Sequence, residues 1–214
     1  MEIKNIIFDL GNVIINIDVA LTVKAFIALA PEKVDYIQEN VLQSAFFHDF
    51  ETGKISPAEF REGMRQALSP DLKDAQIDAA WNALLLDIPQ ARIDLLQALK
   101  PHFRTYVLSN TNTIHVDFIV QQMQAEQQAP LSDLVEKVYY SQEMGKRKPQ
   151  ADIYEQVLEE NHLLASETVF LDDNQANVEA AQALGIQTIH ILPGKNSMLD
   201  FFEKTEAGTF KVLL

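Results

Sequence analysis

The chain reads as an α/β protein, a Rossmann-like parallel-sheet core carrying an all-helical segment inserted after the first strand. Three observations predict this. Short apolar runs of buried-strand character recur at Ile3 to Phe8, Thr105 to Leu108, Lys137 to Tyr140, Thr168 to Leu171 and Thr188 to Leu192. Between the first two runs, from Val19 to about Leu86, only helical periodicity is found. Polar groups close the strongest runs, at Ile6-Ile7-Phe8-Asp9, Tyr106-Val107-Leu108-Ser109-Asn110 and Val169-Phe170-Leu171-Asp172-Asp173. In a parallel open sheet the carboxyl ends of the strands are where ligands bind.

Taken in order, the first run is strand-like and is broken by Gly11. Val19, Val23, Phe26, Ile27 and Ala30 then repeat at three and four, with Asp18 in position to cap that helix. Ser56-Pro57-Ala58-Glu59 is a capping box with proline at the first helical position, opening a helix lined by Phe60, Met64, Ala67 and Leu68. Ile77, Trp81, Leu84 and Leu85 mark the next. From Ala91 onward helices and strands alternate. Ile93, Leu95, Leu96 and Leu99 line one helix, roughly Thr113 to Ala125 form another, and Ile153, Tyr154, Val157 and Leu158 a third. Val178, Ala181 and Leu184 line the last clear helix, closed by Gly185. Repeated βα units imply a parallel sheet covered on both faces. The boundaries follow: a core of residues 1–16 and 90–214, and a helical cap of 17–89. The tail from Asn196 to Leu214 carries no readable pattern.

At 214 residues, 47% hydrophobic and 22% charged, the chain builds a sizeable core and is not disordered. Its formal net charge of -14 opposes nucleic acid and anionic membrane as partners. The dense basic cluster Lys146-Arg147-Lys148 suits one phosphate, not a nucleic-acid groove. Without cysteine there is no disulfide framework, thiolate metal site or cysteine nucleophile. No segment approaches transmembrane length and no signal-like leader precedes the first strand, so a soluble cytoplasmic protein is expected.

The chemistry lies in the joint order of four fragments. Adjacent like charges at Asp172-Asp173 repel by about 4 kcal/mol at about 4 Å for an effective dielectric near 20, and Asp9 in the same crevice adds to this. A hard divalent cation resolves the repulsion, and magnesium takes one or two carboxylates while bridging to a phosphate oxygen. A nucleophilic aspartate, a hydroxyl, a lysine before Pro149 and a carboxylate pair are the equipment for phosphoryl transfer through an aspartyl-phosphate. Each fragment alone has a plainer reading: a turn cap at Asp9, helix caps at Ser109-Asn110 and at Asp173 or Asn174, and a solvated charge at Lys148.

Together the fragments resemble the four motifs of the haloacid dehalogenase (HAD) superfamily, and the helical insertion is similar to its C1 cap. Phe8-Asp9-Leu10-Gly11-Asn12-Val13-Ile14, Leu108-Ser109-Asn110-Thr111-Asn112, Arg147-Lys148-Pro149 and Asp172-Asp173-Asn174 with Asn177 resemble more closely the members acting on sugar phosphates such as α-glucose 1-phosphate. The resemblance implies a HAD-like fold and a magnesium-dependent phosphatase for a small phosphate ester. Asp9 would be the nucleophile and, through its other oxygen, a metal ligand. The Gly11 carbonyl and Asp173 would be further ligands, with Asp172 direct or through water. Ser109 and Asn110 would hold the phosphoryl oxygens, and Lys148 would neutralise Asp9 and the phosphate. In the cap, Phe47 and His48 are candidates for shaping substrate choice.

Gly11 departs from the family pattern, which usually places a second aspartate there as general acid and base. Losing such a group removes about 10²- to 10⁴-fold in rate. Asp18, His48, Asp49 and Glu51 are the candidate substitutes, Asp18 reading better as a helix cap. Two other readings compete: a metal-independent 2-haloacid dehalogenase, which also lacks that acid, and a HAD-fold binding protein that lost turnover at Gly11. The remaining histidines, His115 among them, show no metal-ligand spacing.

Overall fold

The computed structural model describes residues 2–40 and 45–214. Residues 41–44, within the expected cap, lie outside the described residues. The chain begins with strand β1 (Asn5–Phe8), followed by helices α1 (Val19–Leu29), α2 (Val34–Asn40), α3 (Ala45–Glu51), α4 (Pro57–Ala67) and α5 (Asp74–Asn82). Then come α6 (Gln90–Leu99), β2 (Arg104–Ser109), α7 (Thr113–Ala125), α8 (Leu131–Leu134), β3 (Lys137–Tyr140), α9 (Ser141–Met144) and α10 (Ala151–Asn161). The chain closes with β4 (Thr168–Asp172), α11 (Gln175–Ala183), β5 (Gln187–His190) and the hairpin β6 (Phe202–Lys204) and β7 (Phe210–Val212).

Five strands form one parallel sheet in the order β3-β2-β1-β4-β5, the α/β class read from the sequence. The order reverses beside β1, so the switch point lies where β1 and β4 end. Alternation along β1 sends Ile6 and Phe8 to one face and Ile7 to the other. The first face packs against Ile93, Leu96 and Leu99 of α6 and Ile119 and Met123 of α7. The second packs against Ile153, Tyr154 and Val157 of α10 and Ala181 of α11. A third cluster unites Phe26, Phe47, Phe50, Phe60, Met64 and Trp81 of the helical segment with Ile114 of α7.

The predicted caps form where the side chains demanded. Asp18 accepts from Ala20 N at the head of α1, and Ser56 with Glu59 completes the capping box of α4. Asn174 caps α11, and Asn112, rather than Ser109 or Asn110, caps α7. The tail differs from the sequence reading. Met198 and Phe202 are buried in the sheet core, and β6-β7 closes over it. Its strands span three residues each, too short for periodicity to register. The last core strand begins and ends earlier than expected, Ile191 continuing as a loop residue bonded to the Asp172 carbonyl.

The helical segment docks on the core through the turn after α3. Gly53 has φ +68°, and a Cβ there would collide with the backbone carbonyl of Gln142. Gly53→Ala is therefore expected to destabilise the protein by more than about 1 kcal/mol, through both the positive φ and the lost approach. Urea denaturation checks this; a midpoint equal to wild type would show that the turn does not need glycine.

Candidate active site

The carboxyl ends of β1, β2 and β4 bring four of the predicted groups together. Lys148, only 1% exposed, reaches across the sheet edge: its Nζ donates to Asp9 Oδ1 and Asp172 Oδ2, both at 2.7 Å, and to Leu108 O at 2.8 Å. The ammonium thus joins β1, β2 and β4 and engages all three of its donors. Asp9, Asp172 and Asp173 each place a carboxylate oxygen within 4.8 Å of the others.

These carboxylates are held differently. Asp172 is fully buried and saturated: Oδ1 accepts from Asn174 N and Asn177 Nδ2, and Oδ2 from Lys148 and the same amide. Asp173 accepts from Asn12 Nδ2 at 2.8 Å through Oδ2. Three carboxylates face one ammonium, so negative charge is in excess. Burial pushes Asp9 up to about 7; Lys148 opposes this and Asp172 adds to it. Burial likewise raises Asp173. On Lys148 burial acts downward, but Asp9 and Asp172 outweigh it and hold the ammonium above its ordinary range.

Gly11 lies in the turn after β1. The bonds that close this turn run from Asn12 N to Ile15 O and from Ile14 and Ile15 N to Leu10 O, leaving the Gly11 carbonyl outside them. The left-handed residue here is Asn12, at φ 56°, not Gly11. A Cβ on Gly11 would meet only the flexible end of Ile17, Cδ1 at 3.1 Å. Steric strain therefore does not dictate the glycine.

Ser109 ends β2 and is 4% exposed. The Asn110 side chain is engaged elsewhere, its Nδ2 donating to Lys148 O and its Oδ1 accepting from Lys148 N, both at 2.9 Å. The side chain thus fixes the lysine's backbone, and of the two Asn110 alternatives only the backbone is left uncommitted by these bonds. Phe47, 6% exposed, stacks on Trp81 at 5.2 Å and meets Phe46 and Phe60 edge-on, placing it in the aromatic cluster rather than on an open wall. His48 lines a 480 Å³ cleft with Asp49, Lys54, Lys146 and Arg147, between α3 and the loop before Lys148.

Among the substitutes for the missing acid, Asp18 caps α1 and Asp49 pairs with Lys54 at 3.0 Å. Glu51 pairs with Arg147 at 3.0 Å, and burial raises its pKa. His115 is buried, stacked on Trp81 and bonded to Asn82 Oδ1, and burial lowers it to about 3. It joins α7 to α5 as a neutral side chain. Sequence reasoning assigned no role to Asn12 or Asn177, and counted Arg147 only within a basic cluster suited to one phosphate. Asn12 had one signal, because asparagine is the side chain that best tolerates a left-handed turn after glycine. Asn177 had another, lying one helical turn beyond the Asp172-Asp173 pair.

The haloacid dehalogenase-like hydrolase family matches residues 3–185. A D-ribitol-5-phosphate phosphatase from Bacteroides thetaiotaomicron is 31% identical over 186 residues, covering 87% of this chain and 90% of that protein. A sesquiterpene phosphatase from Aspergillus oryzae is 32% identical over 154 residues, covering 71% of this chain and 74% of its own. A solved HAD-family enzyme from Bacteroides thetaiotaomicron superposes with a TM-score of 0.88 at 35% identity, covering 95% of this chain and all of that one. Its magnesium complex gives 0.86 at 36% identity, covering 94% and 99%. Among the described residues, no helix is long and apolar enough to cross a membrane.

The charge excess sets a pH dependence. Between the ordinary aspartate range and about 7, the metal-free folded protein keeps a proton on Asp9 that the unfolded chain has lost. Stability from this group is therefore full at low pH and falls as pH rises, by up to about 1.4 kcal/mol per pH unit. Asp9→Asn is expected to flatten that slope in chelator. Chemical denaturation from pH 4.5 to 7.5 checks it; parallel wild-type and variant curves would show that Asp9 is not perturbed.

Proposed function

The chain belongs to the haloacid dehalogenase-like hydrolases, and on that premise we propose that it is a magnesium-dependent phosphomonoesterase for a small phosphorylated metabolite, a sugar or polyol phosphate, acting through an aspartyl-phosphate on Asp9. The observation that carries this reading is the cluster of Asp9, Asp172 and Asp173 around the Lys148 ammonium. Residues 17–89 act as the cap over a core of 1–16 and 90–214.

The donor set fits magnesium. It offers only hard oxygens, carries excess negative charge, and keeps one Asp9 oxygen, one Asp173 oxygen and the Gly11 carbonyl clear of the bonds just described. Those three groups would hold the ion. Asp172, whose oxygens are already engaged by Lys148, Asn174 and Asn177, would not be free to bind it directly. When bound, the cation supplies charge neutralisation at the phosphoryl oxygens and keeps Asp9 ionised.

The chain's own residues do the rest. The Asp9 carboxylate attacks phosphorus and the bond to the leaving oxygen breaks. Water then attacks the phosphorus of the aspartyl-phosphate and frees the carboxylate. Lys148 fixes the Asp9 rotamer through Oδ1 and contributes charge to the phosphoryl group. Ser109 and the Asn110 backbone hold phosphoryl oxygens. Catalysis is positioning and charge stabilisation, as a loose phosphoryl-transfer transition state requires. The dehalogenase reading would place a carboxylate substrate beside Asp172 and Asp173, where like charges oppose it.

Asp9→Asn should abolish turnover while keeping the fold, since the amide cannot attack phosphorus. Chelation should remove activity on p-nitrophenyl phosphate and magnesium restore it, and Asp173→Ala should weaken magnesium binding by tenfold or more, about 1.4 kcal/mol. Full activity in excess chelator would instead support a metal-independent enzyme, and none under any condition a binding protein.

Gly11 sets a further expectation. Without an acid there, the leaving oxygen carries more negative charge in the transition state, so aryl esters should outrun alkyl esters. Gly11→Asp should recover part of the about 10²- to 10⁴-fold that general acid catalysis provides, selectively for alkyl esters. Single-turnover phosphorylation across leaving groups of graded pKa measures this; a flat wild-type dependence would mean that another group donates the proton.

A further inference from the structure

We propose that His190 is a positioning residue for the proposed magnesium ligand Asp173, acting through that residue's main-chain carbonyl. The proposal rests on the phosphatase reading and adds a residue to its metal site.

Asp173 lies between two well-tied neighbours. Asp172 ends β4; its carbonyl accepts from Ile191 N, and its carboxylate is saturated. Asn174 caps α11, with its own N–H turned back to Asp172 Oδ1. The last pairing of β4 with β5 sets Asp172 opposite His190, so Asp173 leaves the sheet one residue beyond it. With the ladder ended, the Asp173 carbonyl depends on a side chain for its partner. His190 supplies one, its Nε2 lying 2.9 Å from Asp173 O. A carbonyl oxygen only accepts, so Nε2 carries the hydrogen and donates it.

The donor is itself held in place. His190 is half-buried at the end of β5, fixed on one side by the strand. On the other side Asn196 closes the turn. Its Oδ1 accepts from Leu192 N at 2.7 Å, and its Nδ2 donates to His190 O at 3.4 Å.

Two bonds therefore aim Asp173. Asn12 Nδ2 sets the rotation of the carboxylate through Oδ2, and His190 sets the peptide from which the side chain springs. Lys148 grips Asp9 and Asp172 directly, whereas no ion pair among the described residues includes Asp173. Its direction rests on neutral hydrogen bonds, and contacts that orient a metal ligand in this way contribute about 10- to 100-fold in metal affinity.

Titration calorimetry with magnesium alone, on the substrate-free protein, tests this. His190→Phe keeps the ring volume without a donor, while the amide of His190→Gln places an N–H near the position of Nε2. His190→Phe should weaken magnesium binding about tenfold, and His190→Gln should stay within about threefold of wild type. In an Asp173→Ala background the His190→Phe change should lose its effect, because a residue that acts through Asp173 has nothing left to position. If the phenylalanine ring does not fit the fold, His190→Val removes the donor with a good strand former and carries the same expectations. A donor-free variant within about threefold of wild type, losses equal to those of His190→Gln, or an undiminished effect without Asp173 would each overturn the proposal. So would a lowered urea midpoint in chelator with magnesium affinity unchanged, which marks a merely structural role. In all of these cases wild-type magnesium binding leaves the phosphatase reading standing. If wild type binds no magnesium and stays active in chelator, that reading falls and the proposal with it.

Discussion

The buried Lys148 ammonium is the interaction on which the rest of the site depends. It is held by carboxylates that follow or end β1 and β4 and by the last-but-one carbonyl of β2, so one cation fixes the relative positions of three strand ends. Its backbone is fixed in turn by Asn110, whose amide meets both its carbonyl and its N–H. Removing one partner from such an arrangement leaves uncompensated buried charge, worth about 3–5 kcal/mol. On the proposed reading, the group that prepares Asp9 for attack is thus also the one that stabilises the switch-point geometry.

The arrangement is nevertheless incomplete as a charge balance. A second cation is what the excess of carboxylates calls for, and the two cations would then divide the work. Lys148 holds Asp9 Oδ1 and Asp172 from within the sheet edge, while one oxygen each of Asp9 and Asp173 and the Gly11 carbonyl stay clear of these bonds. Asn12 and Asn177 matter here because each fixes a carboxylate orientation without adding charge. Neutral amides order an acidic cluster that further lysines would quench.

Much of this was legible in the sequence because it is local. A buried parallel strand must be apolar throughout, so a polar residue at its end stands out, and Asp9, Ser109 and Asp172 were read in that way. The caps of α1, α4 and α11 were legible for the same reason, their partners lying within three residues. What stayed hidden depends on distant partners. Nothing near Asn110 announces that its amide is engaged 38 residues away, and nothing near Phe47 shows that its ring lies against Trp81. The tail hid for another reason: Met198 and Phe202 enter the core singly, without a repeat.

The helical segment between β1 and α6 is tied to the rest of the chain at two polar contacts. At the start of α7, Trp81 stacks on His115 and donates to Asn112 Oδ1, while His115 is bonded to Asn82. These polar groups are matched, and burial keeps His115 neutral near neutral pH, so the junction neither demands a ligand nor responds to moderate acid. A second contact is the Glu51–Arg147 ion pair, 3.0 Å long, which ties the end of α3 to the residue before Lys148. Both contacts hold the helical segment against the strand ends without calling for a ligand. On the proposed reading, the strand ends supply a charge chemistry indifferent to the alcohol, so selectivity among phosphate esters falls to the helical segment that these contacts hold in place.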